Sequence, residues 1–429
     1  MMEFIPQTGE KVGENGRATK GWNEMSVFRA AGNFQEHRIC LSPLNADLRG
    51  LLDGARGAPG SIFNHGEAAM EGPPQNQTVF LCYHRPMLPD IYPLGKLPPE
   101  VLKKIFARVP NQDERVLVGP GVGLDCAVID MGTDNLMVVK SDPITFASDE
   151  IGWYGLQVAA NDIATTGARP RWYTATLLLP ENKTNEALVL RISDQIAAAC
   201  SALGVSLVGG HTEVTYGLER PILMGTLIGE VAKDRLITPR GARPGQSLLL
   251  TKGIPIEATA LLAREFPERL LPQLGAAALN EAAAYLQHPG ISVVEDARVA
   301  MSAGRVTAMH DPTEGGLAGA LFELAEASGT RLVVDTAAIL IPELSRRICA
   351  IFNLDPLATL ASGALLLSAQ AEDAGAIISA LESAGITCRE IGRVEEGSGE
   401  VFYMRNGARH AMPRPVRDEI ARVYEHKPA

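Results

Sequence analysis

The chain has 429 residues, 46% hydrophobic and 21% charged, which is the composition of a globular protein long enough for two or three domains. Its formal charge of −11 leaves no basic face for a phosphodiester backbone, so nucleic acid is excluded as the expected partner and a small molecule is favoured. Six scattered cysteines without a C-x-x-C pair exclude a zinc site and a disulfide framework. No apolar run reaches membrane-spanning length and no signal core is evident, so the expectation is a cytoplasmic protein with no membrane partner.

Residues 1–86 are polar, rich in Gly and Pro, and lack helical or strand periodicity over any useful length; the expectation there is a disordered extension or an over-extended reading frame ahead of Met87. From MLPDIYPLGKLPPEVL the chain enters a helix that Pro98 or Pro99 can open, because proline loses no hydrogen bond in the first turn. Between 100 and about 235 the strand-like runs NLMVVKSDPIT, WYTATLLLP, VSLVGG and ILMGTLIGEV alternate with IGWYGLQVAANDIATTGA and NEALVLRISDQIAAACSALG, whose apolar residues recur at helical spacing. GARPGQ at 241–246 is a turn-rich boundary. After it SLLLTKG, RVTAMHD, RLVVDT, ALLLSA and CREIGRV predict a second set of strands interleaved with helices, so two α/β or α+β domains are expected.

Acidic residues and glycines punctuate five places: GVGLDCAVID (121–130), SDPITF (141–146), AANDIATTGARP (159–170), VGGHTEVTYG (208–217) and HDPTEGG (310–316). Asp125, Asp142 and Asp162 are the candidates for a hard-cation site, since magnesium takes oxygen ligands and bridges carboxylates to phosphates. Each aspartate alone is more often a turn former or a helix cap, and it is their clustering that favours a metal site. Gly209 and Gly210 either let a backbone approach a phosphate or serve a tight turn, and His211 either touches a ligand or is a structural histidine. In HDPTEGGLAGALFELAEAS the residues Leu317, Leu321 and Leu324 recur at helical spacing. Gly315 and Gly316 stand at the helix start, with Asp311 or Thr313 as possible caps and Glu314 facing solvent or substrate. A P-loop, a Rossmann fingerprint and a nucleophile elbow are all absent.

The ordered set GLDCAVI, SDP, NDIATTGARP, GGHTEV and HDPTEGGLAGAL resembles the AIR synthase superfamily over roughly residues 90 to 405. PLGKLPPEVL (93–102), TKGIPIEATALLARE (251–265) and LDPLATLASGALL (354–366) resemble most its hydrogenase maturation, or carbamoyl dehydratase, branch. The resemblance implies an α/β (α+β) fold of two domains, 87–240 and 241–405, followed by a tail at 406–429. The first domain would form a β-barrel across a homodimer, and the second an α/β unit with a mixed sheet. It further implies ATP and Mg2+ as cofactors and phosphoryl transfer to a small molecule or to a group on a partner protein. Asp125, Asp142 and Asp162 become metal residues. Gly209, Gly210 and Thr212 would line a phosphate loop, Asp311 would face it, and Asp142, His211 and Glu213 would carry catalysis.

The sequence departs from the branch at Leu124, where one acid of a pair is missing, at His211 and Glu213, and at Ser362 in place of a glutamate. The sequence given closes on RVYEHKPA with Cys388 its last cysteine, so cyanide-ligand synthesis on a terminal thiol is not expected. A kinase resembling thiamine monophosphate kinase and a non-catalytic nucleotide-binding scaffold are the alternative expectations.

Overall fold

The computed structural model describes residues 92–110 and 113–425, together with strands β1 (Met25–Val27) and β2 (His37–Ile39), which pair antiparallel. Apart from those two strands, the expectation for residues 1–86 lies outside the described residues. Met1–Pro86 and Met87–Ala429 are separate units, and the second carries everything that follows.

Its first half opens with α1 (Pro99–Phe106), where Pro99 takes the first helical position. Strands β3 (Val116–Val118), β4 (Ala127–Asp130), β5 (Asn135–Ile144), β6 (Arg169–Pro180), β7 (Ser206–Thr215) and β8 (Ile222–Ala232) form one sheet in the order β3-β4-β5-β8-β6-β7. All neighbours are antiparallel except β6 and β7. That parallel pair needs a crossover, and α3 (Glu186–Leu203) supplies it. The Asn185 side chain caps α3 by accepting from the Leu188 N–H at 2.9 Å, and Gly204 ends it in the left-handed region. Helix α2 (Ile151–Thr165) is buried at every residue except Trp153, which explains why apolar residues occur on all of its faces.

In the second half, the strands are β9 (Ser247–Thr251), β10 (Val306–His310), β11 (Arg331–Asp335), β12 (Leu366–Ala369), β13 (Cys388–Glu395), β14 (Val401–Arg405) and β15 (Ala408–Ala411). They form a mixed sheet in the order β10-β12-β9-β13-β11-β14-β15. Helices α4 (Ile256–Glu265), α5 (Pro267–Leu274), α6 (Ala276–Ala284), α7 (Val294–Ala303), α8 (Gly316–Ser328), α9 (Glu343–Phe352), α10 (Ala374–Ser383) and α11 (Ala421–Glu425) complete it. Leu317, Leu321 and Leu324 are each fully buried along α8, as their spacing requires.

The segment expected as a tail is built into this fold. β15 extends the sheet beside β14, and Ile420 and Ala421 are 0% exposed, because this stretch has apolar side chains to bury. Among the described residues no helix is long and apolar enough to cross a membrane.

Candidate functional site

Strand β5 puts Lys140 and Asp142 two residues apart and therefore on one face of the sheet. There they meet Asp162 of α2: the Lys140 Nζ lies 2.9 Å from Asp162 Oδ2 and 3.9 Å from Asp142 Oδ1. Asp125, just ahead of β4, joins His310 and Asp311 at the end of β10, with potential ligand atoms of all three within 4.8 Å of one another. Asp311 is 0% exposed, and among the described residues neither of its carboxylate oxygens has a hydrogen-bond partner. An ionised carboxylate so buried requires a cation or a proton.

Burial drives the Asp311 carboxyl well above its usual range, and Asp162 and Asp125 add repulsion that His310 and Lys140 only partly offset. Burial likewise pushes Asp162 up to about 7 against the pull of Lys140, and raises Asp142. Asp125 behaves oppositely: burial works to raise it, but the charges of His310, Lys140 and Lys96 prevail and hold it below its ordinary value. His310 is pushed up to about 10 despite its burial, through Glu323 and Asp125. Both ring nitrogens are engaged, Nε2 at 2.8 Å from Glu323 Oε2 and Nδ1 at 3.1 Å from the Asp311 main-chain oxygen. A carbonyl oxygen only accepts, so Nδ1 carries a proton, and the Glu323 carboxylate beside Nε2 favours a second proton there.

Lys96, in the segment before α1, donates to Thr313 Oγ1 at 3.2 Å, and its ammonium sits among Glu323, Glu314 and Asp125. Glu314 is half-buried, with Oε2 unpartnered and its carboxyl raised by burial, so it faces inward rather than to solvent. Helix α8 has no side-chain cap from Asp311 or Thr313. Instead Asp418 Oδ2 accepts from the Gly315 N–H at 2.6 Å, and Oδ1 accepts from the Ile420 N–H at 2.8 Å. Burial nevertheless pushes Asp418 up to about 7. Glu257 of α4 is also pushed up to about 7 by burial, with Ser362, Asp418 and Glu314 nearby, and its Oε2 has no hydrogen-bond partner.

Four of the residues expected from sequence, Asp125, Asp142, Asp162 and Asp311, are thus brought together. The rest are not. Gly209, Gly210, His211, Thr212 and Glu213 lie inside β7 rather than in a phosphate loop, and every one of them is exposed. The pairings align Asp142, Gly225, Ala175 and Gly210 in one row across β5, β8, β6 and β7. At about 4.8 Å per strand, Gly210 is roughly 14 Å from Asp142. Within one chain, therefore, Asp142 does not meet His211 and Glu213; those two pair with each other at 3.2 Å on the sheet edge. Gly210 has its own packing reason: a Cβ there would lie 2.0 Å from the Ala175 main-chain oxygen.

Sequence reasoning missed Lys140, Lys96, His310, Glu323 and Asp418. Lys140 was legible from the strand period, being two residues before Asp142, and His310 from its place beside Asp311. Glu323 and Asp418 carry no local signal, since they reach the site across a helix and across 103 residues.

Residues 123–231 match the AIR synthase related protein, N-terminal domain, and residues 243–405 match the corresponding C-terminal domain. The carbamoyl dehydratase HypE of Cupriavidus necator is 31% identical over 297 residues, covering 66% of this chain and 80% of that protein. The chain belongs to the AIR synthase superfamily, in its HypE branch. Two HypE-branch crystal structures share the fold. A HypE-HypF complex aligns over 73% of this chain and 99% of its own, with TM-score 0.60 and 21% identity. HypE in complex with ATP aligns over 72% and 92%, with TM-score 0.57 and 22% identity.

Proposed function

We propose that this AIR synthase-type chain is an ATP- and magnesium-dependent enzyme that transfers phosphate to an oxygen of a small molecule or of a group carried on a partner protein. The observation that carries the reading is Asp311, buried with two unpartnered oxygens against Asp125, which is held ionised. Such an all-oxygen donor set fits a hard divalent cation, and Asp125 and Asp311 would hold it with Asp142 and Asp162 beside them. A bound Mg2+ would supply neutralisation of charge on phosphate oxygens.

The chain's own side chains account for the remaining needs of phosphoryl transfer, which depends on positioning and electrostatics rather than on a nucleophilic triad. Lys96 and Lys140 place two ammonium groups beside the carboxylates, where polyphosphate oxygens would otherwise repel them. Glu314, next to Lys96 with a free Oε2, is placed to accept a proton from an attacking hydroxyl. The HypE relative crystallised with ATP and the one crystallised with HypF support nucleotide use and a protein partner.

Two chains are proposed to associate through β7. At the edge of the sheet among the described residues, β7 leaves Leu207, Val208 and Val214 each more than half exposed, apolar side chains that a second copy would cover.

Calorimetry of Mg-ATP with the full chain, followed by assay of ADP release with candidate acceptors, tests the proposal. Binding that requires magnesium and turnover that falls at least about tenfold in Asp142→Asn are expected. Absence of Mg-ATP binding overturns the reading, and binding without ADP release for any acceptor points to a nucleotide-binding scaffold.

A further inference from the structure

Resting on the same site, we infer that Lys140 is a resident cation of the aspartate cluster. Its ammonium fills the place between Asp142 and Asp162, and the cluster takes up a single divalent ion, at Asp125 and Asp311.

The geometry fixes the lysine there. Lys140 sits within the long β5 strand with its side chain 13% exposed, and Asp162 is 4% exposed on the almost wholly buried α2. Neither backbone is free to move apart. The ammonium lies between two carboxylates, 2.9 Å from one and 3.9 Å from the other, so its departure would leave the buried Asp162 and the partly exposed Asp142 uncompensated. A lysine is a compact point charge and can stand where a small hydrated cation would.

Each cation of the site already has an acid beside it. Lys140 answers Asp162 and Asp142, His310 answers Glu323, and Lys96 answers Glu314. Asp125 and Asp311 lie side by side and have no ion pair among the described residues, which makes them the seat for one divalent ion. Asp311 supplies the independent sign of a missing ligand, being fully buried with both oxygens unpartnered. Asp142 and Asp162, expected from sequence as direct metal residues, act in this arrangement as the seat of the lysine.

The test counts bound Mn2+ by electron paramagnetic resonance on the full chain without nucleotide, in the wild type and in Lys140→Met. One ion per wild-type chain and two per Lys140→Met chain are expected, with thermal unfolding confirming that the variant is folded. Any other pair of counts overturns the inference. Should Lys140→Met not fold, anomalous scattering from wild-type crystals soaked in Mn2+ decides alone. One peak at Asp125 and Asp311 supports the inference, and a peak between Asp142 and Asp162 sinks it. Failure of the functional reading is read separately, as loss of Mg-ATP binding in the wild type.

Discussion

Two segments with the same vocabulary of glycine pair, acid, histidine and threonine end in opposite surroundings. VGGHTEV, residues 208–214, lies on an edge strand with all seven residues exposed, whereas HDPTEGG, residues 310–316, turns from β10 into α8 with His310 and Asp311 buried. What separates them is the neighbourhood each strand delivers its residues to. Among the described residues β7 is the last strand of its sheet and pairs with β6 alone. The end of β10 is covered by α8, by Asp125 and by Asp418, so the same residue types there become charged groups in a water-poor interior. Their glycines differ too. Gly210 yields to the neighbouring strand, while Gly315 and Gly316 both hold left-handed backbone where the chain reverses into the helix.

The sharpest way to break the comparison is at Asp311. Asp311→Asn is expected to lower divalent-ion affinity and Mg-ATP turnover by about 100-fold or more, which corresponds to roughly 3 kcal/mol. Because burial and the neighbouring Asp162 and Asp125 oppose that charge, the metal-free variant should unfold at the same temperature as the wild type or higher. A variant that retains turnover, or that loses both turnover and stability, would show that Asp311 is a packing residue.

Next in size is Asp418, which anchors the buried motif and has no counterpart at β7. Asp418→Ala removes the acceptor for the Gly315 and Ile420 N–H groups and should cost about 2 kcal/mol in denaturant unfolding. Asp418→Asn, which keeps one acceptor oxygen, should recover part of it.

How much of this was legible follows from range. The five motifs, both sheets and the aspartates at strand ends could be read because each depends on residues within a few positions, through the two-residue strand period or the helical one. Asp125, Asp142 and Asp162 were found as acids that punctuate the motifs, and Asp311 through the resemblance to the family. Lys140 shares the face of Asp142 by the strand period, but nothing within a few residues shows that it meets Asp162 of α2. The placement of His211 and Glu213 could not be read, because a strand carries no mark of being last in its sheet. Asp418 lay in a stretch whose sequence looked peripheral, and only folding brings it 103 residues back to Gly315.

A smaller effect distinguishes the interior behind the HDPTEGG turn by pH. Glu257 is raised to about 7 by burial, so the folded state holds its proton where the unfolded chain has lost it. Stability is therefore fullest below the ordinary carboxylate range and declines as pH rises to about 7. Glu257→Gln should match the wild type near pH 5 and exceed it at pH 8 by on the order of 1–3 kcal/mol in chemical denaturation. Equal stability at both pH values would mean that Glu257 is hydrated.

The smallest effect belongs to the β7 motif itself. His211 and Glu213 form an exposed pair at 3.2 Å with side chains 64% and 51% accessible, and such a pair contributes little because water already solvates both groups. Replacing both with alanine should change folding stability by less than about 0.5 kcal/mol. Turnover should hardly change either, since the row of strand pairings keeps these residues away from Asp142 in their own chain. Only a second chain folded across the β7 edge could bring them to an aspartate cluster. A large loss of turnover with unchanged stability and Mg-ATP binding would thus place His211 and Glu213 over the partner's site. Light scattering on Val214→Lys, which charges the same edge, would then show activity and dimer disappearing together.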